Sequence, residues 1–340
     1  MQNKLSIWTL AGLLMTGAAM AQQPPEPPEA PRAPRAPKAP KPPKPPQAPE
    51  DAEHSKGERQ RSSHAGSGPI ALDERRSFVA KGGVVEIENA MGTIRVSGWE
   101  RAEIAVTGQL GARAEGLEFQ VSGDRATIGI EAMNPHGVSS DLDIKVPAGS
   151  DIEIDAFGAE TSVTGVGGSV QVESVNGSIS VSGNAKGLEL QTVNGSIEVA
   201  AGAGQSKVEA VNGNVTLKGV GGDVEASTVN GRLSVDGGAF SRGHFETVAG
   251  QVAVHCELSK NARLEIESVS GPVELSLPAS VSARFEVSTF SGEVKNELSA
   301  DQAKRSSRYT TEQELSFETG SAGATVEIQT LSGDVTLRKH

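Results

Sequence analysis

Glutamates are the residues of this chain best placed to act on something outside it. Glu173, Glu189, Glu209, Glu225, Glu246, Glu265, Glu267, Glu286 and Glu327 fall at matching phases of a repeating pattern. Carboxylates at fixed spacing can recruit divalent cations, hold a basic partner, or cleave glycosidic bonds. Glycan cleavage also needs a groove with aromatic side chains to stack sugars. Aromatic residues make up only 3% of the chain, with Trp99 and Tyr309 among the few in the repeating part. A polysaccharide-acting enzyme is therefore the weakest of the three readings. The candidates for partner contact are Glu209, Glu225, Glu246 and Glu267, with Gln171, Gln191, Lys207 and His244 interspersed to dilute the repulsion. The plainer alternative is a solvated face that resists edge association.

Other chemistries find little support. The six histidines (His54, His64, His136, His244, His255, His340) are scattered, with no His-Glu-x-x-His and no cysteine pair. His244 and His255 flank one repeat, which is a poor basis for a metal site. Gly202-Ala203-Gly204 mimics a phosphate loop, but no helix follows and no Gly-Lys-Ser/Thr occurs. Calcium-binding nonapeptides of the Gly-Gly-x-Gly-x-Asp kind are missing as well. Cys256, the only cysteine, lies in an alternating apolar run and reads as a small buried side chain. No catalytic, cofactor-binding or metal-ligating residue is expected.

A second charged feature lies near the start. Arg32, Arg35, Lys38, Lys41 and Lys44 recur at every third residue of a Pro-Ala-rich segment, with no acidic residue between Pro31 and Pro46. Polyproline II has three residues per turn, which aligns the five cations on one face about 9 Å apart. That stripe suits anionic envelope lipid or polymer, or an envelope protein. Equally, it keeps a solvated spacer extended by self-repulsion. Ahead of it, Lys4, an apolar stretch from Leu5 to Met20 and Ala19-Met20-Ala21 have the order of a secretory signal. The expected organisation is a signal peptide over 1–21, a disordered spacer over 22–69 and a β-solenoid over 70–340. Within the solenoid, 70–150 form irregular capping coils and 151–340 the regular repeats. No other segment is apolar enough to span a bilayer. The expected location is the periplasm or surface of a Gram-negative-type bacterium, and the expected state a monomer.

The elements that must position these residues are short strands in a repeat. The marker is Ser/Thr-Val-Asn-Gly, seen at Ser174-Val175-Asn176-Gly177 and Thr192-Val193-Asn194-Gly195. It drifts to Thr330-Leu331-Ser332-Gly333 at the far end. Marker glycines at 177, 195, 213, 231, 250, 271, 292 and 333 step by 18, 18, 18, 19, 21, 21 and 41 residues. A period near 20 is the mark of a solenoid, and the final step is expected to hide one degenerate coil. Alternating strands before and after the marker put Val172, Leu190 and Val208 in one inward column and Ile179, Ile197 and Val215 in another. The Asn-Gly corner is expected from the tolerance of both residues for positive φ. Stacking would align Asn176, Asn194, Asn212 and Asn230 into an amide ladder beside Gly177, Gly195, Gly213 and Gly231. Asn-Gly between alternating strands also suits hairpins, so an antiparallel meander competes. One unit alone is not viable. Fixing 18 residues costs on the order of 25 kcal/mol, and each buried aliphatic returns only ~1.5–3 kcal/mol. Stacking on neighbours must close the gap.

Residues 70 to 150 alternate less regularly, and the polar stretch from Asn296 to Gln313 breaks the period as the expected protruding loop. Three runs carry a resemblance: Thr93-Ile94-Arg95-Val96-Ser97-Gly98-Trp99, Val146-Pro147-Ala148-Gly149 and Leu331-Ser332-Gly333-Asp334-Val335-Thr336-Leu337. Over roughly residues 75 to 340 the chain resembles the toast-rack, or putative adhesin, β-strand-repeat family (domain of unknown function 4097). The resemblance implies an envelope-exposed β-solenoid, in some members linked to envelope-stress membrane proteins and in others adhesive. It carries over no catalytic residues. From residue 70 on, 22 Lys+Arg stand against 37 Asp+Glu, a net of −15, which argues against nucleic acid as a partner. The function expected is a non-enzymatic binding or scaffold module of the envelope, adhesin-like. The alternative is a sensor or adaptor that partners an inner-membrane regulator.

Overall fold

A computed structural model describes residues 69–340 except 79–81, 134–136, 203, 306–310 and 322. The expected signal peptide, the basic stripe and Tyr309 lie outside the described residues. Among those residues there is no α-helix, and 23 strands join in one hydrogen-bonded sheet. No helix among them is long and apolar enough to cross a membrane.

Alternation decides each strand. In Ser169–Ser174, Val170 and Val172 are buried while Gln171 and Glu173 face outward, the period of two that a strand with one buried face demands. The chain then turns at the marker and lays down a second short strand, Ile179–Ser182, on another side of the coil. The next coil repeats both, and its strands pair in parallel with the ones before. Leu190 stands between Val172 and Val208, and Ile197 between Ile179 and Val215. Parallel pairing at this register excludes the hairpin meander, in which the strands flanking Asn-Gly would pair with each other. The protein is an all-β solenoid. Its core includes two inward columns, Val172, Leu190 and Val208 in one and Ile179, Ile197 and Val215 in the other, all at most 1% exposed.

The ends are built differently from the middle. The coil in Val84–Trp99 pairs in parallel with Asp151–Thr164 on its inner side. On its outer side it pairs with Arg125–Glu131 and Ser139–Pro147. Antiparallel strands then cover the outermost coil: Gly116–Ser122 lies on Arg125–Glu131, and Glu103–Leu110 on Ser139–Pro147. The far end repeats the device. Ala324–Ser332, late in the chain, inserts between Val252–Ser270 and Ala283–Ser291, and Gln313–Glu318 closes Ala283–Ser291 in antiparallel fashion. The 41-residue step therefore hides no degenerate coil. It holds that capping strand and the return to a slot one coil in from the end. The stretch from Asn296 to Gln313 is partly folded back. Leu298 is buried, Asn296 Nδ2 donates to Ser299 Oγ at 2.9 Å, and Lys304–Arg305 pairs with Gln313 and Glu314. At both ends the edge of the outermost parallel coil is thus covered by antiparallel strands, which interrupts the parallel stacking on which further coils or chains could template.

Candidate docking face

The register brings the glutamates together. In the sheet that precedes the markers, one outward row runs Glu189, Lys207, Glu225, His244, Glu265, Glu327. The neighbouring outward row runs Glu173, Gln191, Glu209, Ser227, Glu246, Glu267. Acids alternate between the rows over the regular coils, so most rungs carry one carboxylate with a neutral or basic side chain beside it. Coils are about 4.8 Å apart, close enough that like charges on consecutive rungs repel.

Where acids do fall on consecutive rungs, the repulsion registers. Burial, reinforced by Glu267 one rung on and opposed by His244, raises the Glu246 carboxyl above its usual range. Burial followed by Glu173, Glu88 and Glu153 does the same to Asp155. His244 bridges the rows, with Nδ1 3.4 Å from Glu265 and Nε2 3.9 Å from Glu246.

Glu209 departs from the sequence reading. Although it points outward, it is only 7% exposed. Lys207 reaches across from the other row to within 2.9 Å of its carboxylate, and that hydrogen bond raises the Lys207 ammonium above its usual value. Glu209 is thus largely withdrawn from solvent, whereas Glu267 is exposed and Glu225 and Glu246 are half-buried. Gln171, Glu189, Lys207, Asp223, Glu225 and Arg242 line a shallow groove of about 430 Å³ along the first row.

The marker corner completes the face. Asn194 Nδ2 donates to Asn176 Oδ1 at 2.8 Å, Asn212 to Asn194 at 3.0 Å, and Asn230 to Asn212 at 2.9 Å. None of these asparagines, nor Gly177, Gly195, Gly213 or Gly231, has φ in the left-handed region, which corrects the expected reason for Asn-Gly. Glycine is required because the backbone of the neighbouring coil lies against it. A Cβ on Gly213 would drive into the carbonyl oxygen of Gly195. Positive φ occurs in the second turns, as at Gly165 and Gly219 (φ 66° each), and at the marker only in drifted copies, Gly250 and Gly271 (φ 157° and 137°). The leading Ser/Thr of the marker points inward, and Thr192 and Thr228 donate to the Gly177 and Gly213 carbonyls at 3.2 and 3.0 Å.

Sequence reasoning missed the marker's second residue. Two positions beyond an outward glutamate, it must also face outward, and Val175, Val193, Val269 and Leu331 stand 37–42% exposed in one row. Parity along the strand was the available signal.

Among the described residues no group of three His, Cys, Asp or Glu side chains is placed to hold a metal. His244 and His255 lie on different strands and sides of the coil, His244 between Glu225 and Glu265 and His255 between Asp236 and Ser276. The His255 ring packs instead against His340, centroids 4.0 Å apart. Trp99 is covered by the Arg101 guanidinium at 4.9 Å and its Nε1 donates to the Glu103 carbonyl. Cys256 is buried, and burial pushes its thiol up to about 12.

Parallel coils with antiparallel strands at both ends define a β-solenoid repeat protein. The chain belongs to the Toastrack family: the family model, Toastrack DUF4097, matches residues 83–338. Among solved structures, it is similar to a putative adhesin from Parabacteroides distasonis ATCC 8503. Identity is 11% and the TM-score 0.36, covering 81% of this chain and 98% of that one. A putative adhesin from Parabacteroides merdae ATCC 43184 is 8% identical at a TM-score of 0.32, with coverages of 79% and 96%. A putative cell adhesion protein from Clostridium sporogenes ATCC 15579 is 9% identical at 0.23, with coverages of 80% and 100%. No curated protein matches.

Proposed function

We infer that this chain is an exported, non-enzymatic binding module of the bacterial envelope, adhesin-like in action, which presents the face before the marker corner to a partner. The observation that carries this reading is the shared register. It puts two acid-bearing rows and an exposed aliphatic row side by side on a rigid sheet, where reactive side chains are not gathered into a cleft. The signal-like start supports export, and the proline-rich segment with Arg32, Arg35, Lys38, Lys41 and Lys44 supports a spacer that also contacts anionic envelope material.

The test is in-cell cross-linking from a photoreactive residue at Gln191, which faces outward between Glu173 and Glu209. Capture of wall polymer or lipopolysaccharide by protein reachable from outside makes the module adhesive. Capture of one membrane protein makes it the adaptor of an envelope regulator. Retention in the cytoplasm, or no Gln191-dependent capture, ends the reading.

A further inference from the structure

We propose that the marker corner is a docking line for a proline-rich, Lys/Arg-bearing segment of another envelope protein, bound in the polyproline II form. The proposal rests on reading the chain as a binding module and names the partner's chemistry.

The first observation is where apolar surface is left open. Of the eight large apolar side chains exposed among the described residues, Phe157, Val175, Val193, Val269, Leu331 and Phe290 fall in one row across the coils. Half-buried Val211, Val229 and Val248 continue it. Single exposed aliphatics are ordinary, but a contiguous line of them marks an interaction site. At about 4.8 Å per coil the nine rungs extend for about 38 Å.

What flanks the line selects the occupant. On one side stand Asn176, Asn194, Asn212 and Asn230. A carboxamide has two N–H donors and the ladder bond to the next asparagine uses one, so each rung retains a donor for a carbonyl. On the other side Glu173, Glu209 and Glu246 occupy every second rung, with Gln191 and Ser227 between them. Lys207 already holds Glu209, whereas Glu173 accepts from the neutral Gln171 amide at 3.1 Å and Glu246 stands 3.9 Å from the His244 ring, so Glu173 and Glu246 are the carboxylates a cation would meet. Further along, Glu246, Glu267 and Glu312 join Val269, Phe290 and Leu331 around a hollow of about 270 Å³, sized for an apolar ring with a cation beside it.

An occupant must therefore offer apolar bulk, unspent carbonyls and cations, all at the period of the ladder. Polyproline II has no internal hydrogen bonds, so its carbonyls are free, and three residues advance it about 9.3 Å. Two rungs span about 9.6 Å. Side chains at every third position thus stay in phase with alternate rungs, within about 0.3 Å per turn. An α-helix advances about 5.4 Å per turn and drifts by about 0.6 Å against each rung. In a β-strand, same-face residues are about 6.7 Å apart and match neither one rung nor two. Net charge in the solenoid repels anionic lipid and nucleic acid.

The probe is a labelled (Pro-Pro-Lys)5 peptide titrated into the full mature chain by fluorescence anisotropy. A flexible (Gly-Ser-Lys)5 peptide of equal charge serves as the control. Saturable binding is expected, at least 10-fold tighter than the control. Val193→Ser with Val229→Ser should weaken it at least 10-fold with unchanged circular dichroism and Tm. Glu246→Gln with Glu267→Gln should weaken it less and flatten its salt dependence. Equal binding of the two peptides, or full binding to the double serine variant, overturns the proposal. So does apolar-row-dependent self-association seen by sedimentation without peptide, which would assign the line to a second copy. Tighter probe binding after Arg32, Arg35, Lys38, Lys41 and Lys44 are changed to Ser also overturns it, because the chain's own segment would then be the occupant. Failure of the probe while cross-linking from Gln191 still captures an envelope protein sinks the polyproline chemistry and leaves the binding-module reading standing.

Discussion

Two neighbouring residues of the marker serve different ends. Asn212 makes two ladder bonds, donating to Asn194 and accepting from Asn230. Asn212→Ala should lower the unfolding free energy by about 1–2 kcal/mol, since each net hydrogen bond contributes about 0.5–1.5 kcal/mol. Gly213→Ala should cost more, because the obstacle is backbone of the adjacent coil and cannot rotate away. Urea denaturation of both variants checks the order, and equal losses would mean that the close approach relaxes. Glu246 tests electrostatics at the same scale. Its folded carboxyl titrates above the unfolded value of 4.5, so between those two pH values the folded state binds the extra proton. Its contribution to stability is therefore lost as pH rises across that window. Glu246→Gln removes the loss and should raise Tm at pH 7 by on the order of 1–3 °C, with the gain vanishing below pH 4.5. A gain that persists at low pH would point to packing rather than charge.

At the level of the coil, equivalent elements are not equally dispensable. Each regular coil contacts only its neighbours, and the registers on either side of Gln205–Asn212 are the same. Excising residues 195–212 should therefore rejoin matching surfaces and leave a folded, shorter solenoid with a modestly lower Tm. The last coil differs. Ala324–Ser332 is hydrogen-bonded on both edges, to Val252–Ser270 and to Ala283–Ser291. Truncation after Gly323 would leave two bared sheet edges around a gap, and loss of the cooperative thermal transition is expected. A cooperative transition in the truncated protein would show that the neighbouring coils close over the slot.

On the whole-molecule scale, one geometric fact organises both stability and surface. A constant register turns each sequence position into a row, so a residue type repeated for packing becomes a buried column and one repeated outside becomes a line on the surface. Stability accrues from the inward columns, the ladder bonds and the two antiparallel caps. The face before the marker collects acids, amides and aliphatics without any single coil forming a pocket of its own. Point changes there should act in proportion to the number of rungs altered. Val193→Ser alone should weaken probe binding several-fold less than the Val193→Ser, Val229→Ser pair, and a full loss from the single change would indicate a local pocket instead.

The order of residues within one coil was legible from the amino-acid sequence alone. Period-two alternation and the recurring marker are local properties, and they were enough for Val172, Leu190 and Val208 to be recognised as one column and Asn176 and Asn194 as neighbours. The rows of glutamates followed from the same periodicity. What needed the tertiary structure is everything that depends on which backbone lies next to which. Glycine is required at Gly213 because a neighbouring carbonyl occupies the space, and nothing in a single coil reveals that. Glu209 is withdrawn by Lys207, two residues away in the chain, because the Lys207 ammonium comes within 2.9 Å of its carboxylate. The outward direction of the marker's second residue follows from strand parity, but its alignment into one exposed row depends on the register of the stacked coils. The inserted final coil was out of reach for the same reason: equivalent repeats present equivalent edges, so the sequence allows several pairing orders, and the pairing of Ala324–Ser332 between Val252–Ser270 and Ala283–Ser291 is seen only in the folded stack.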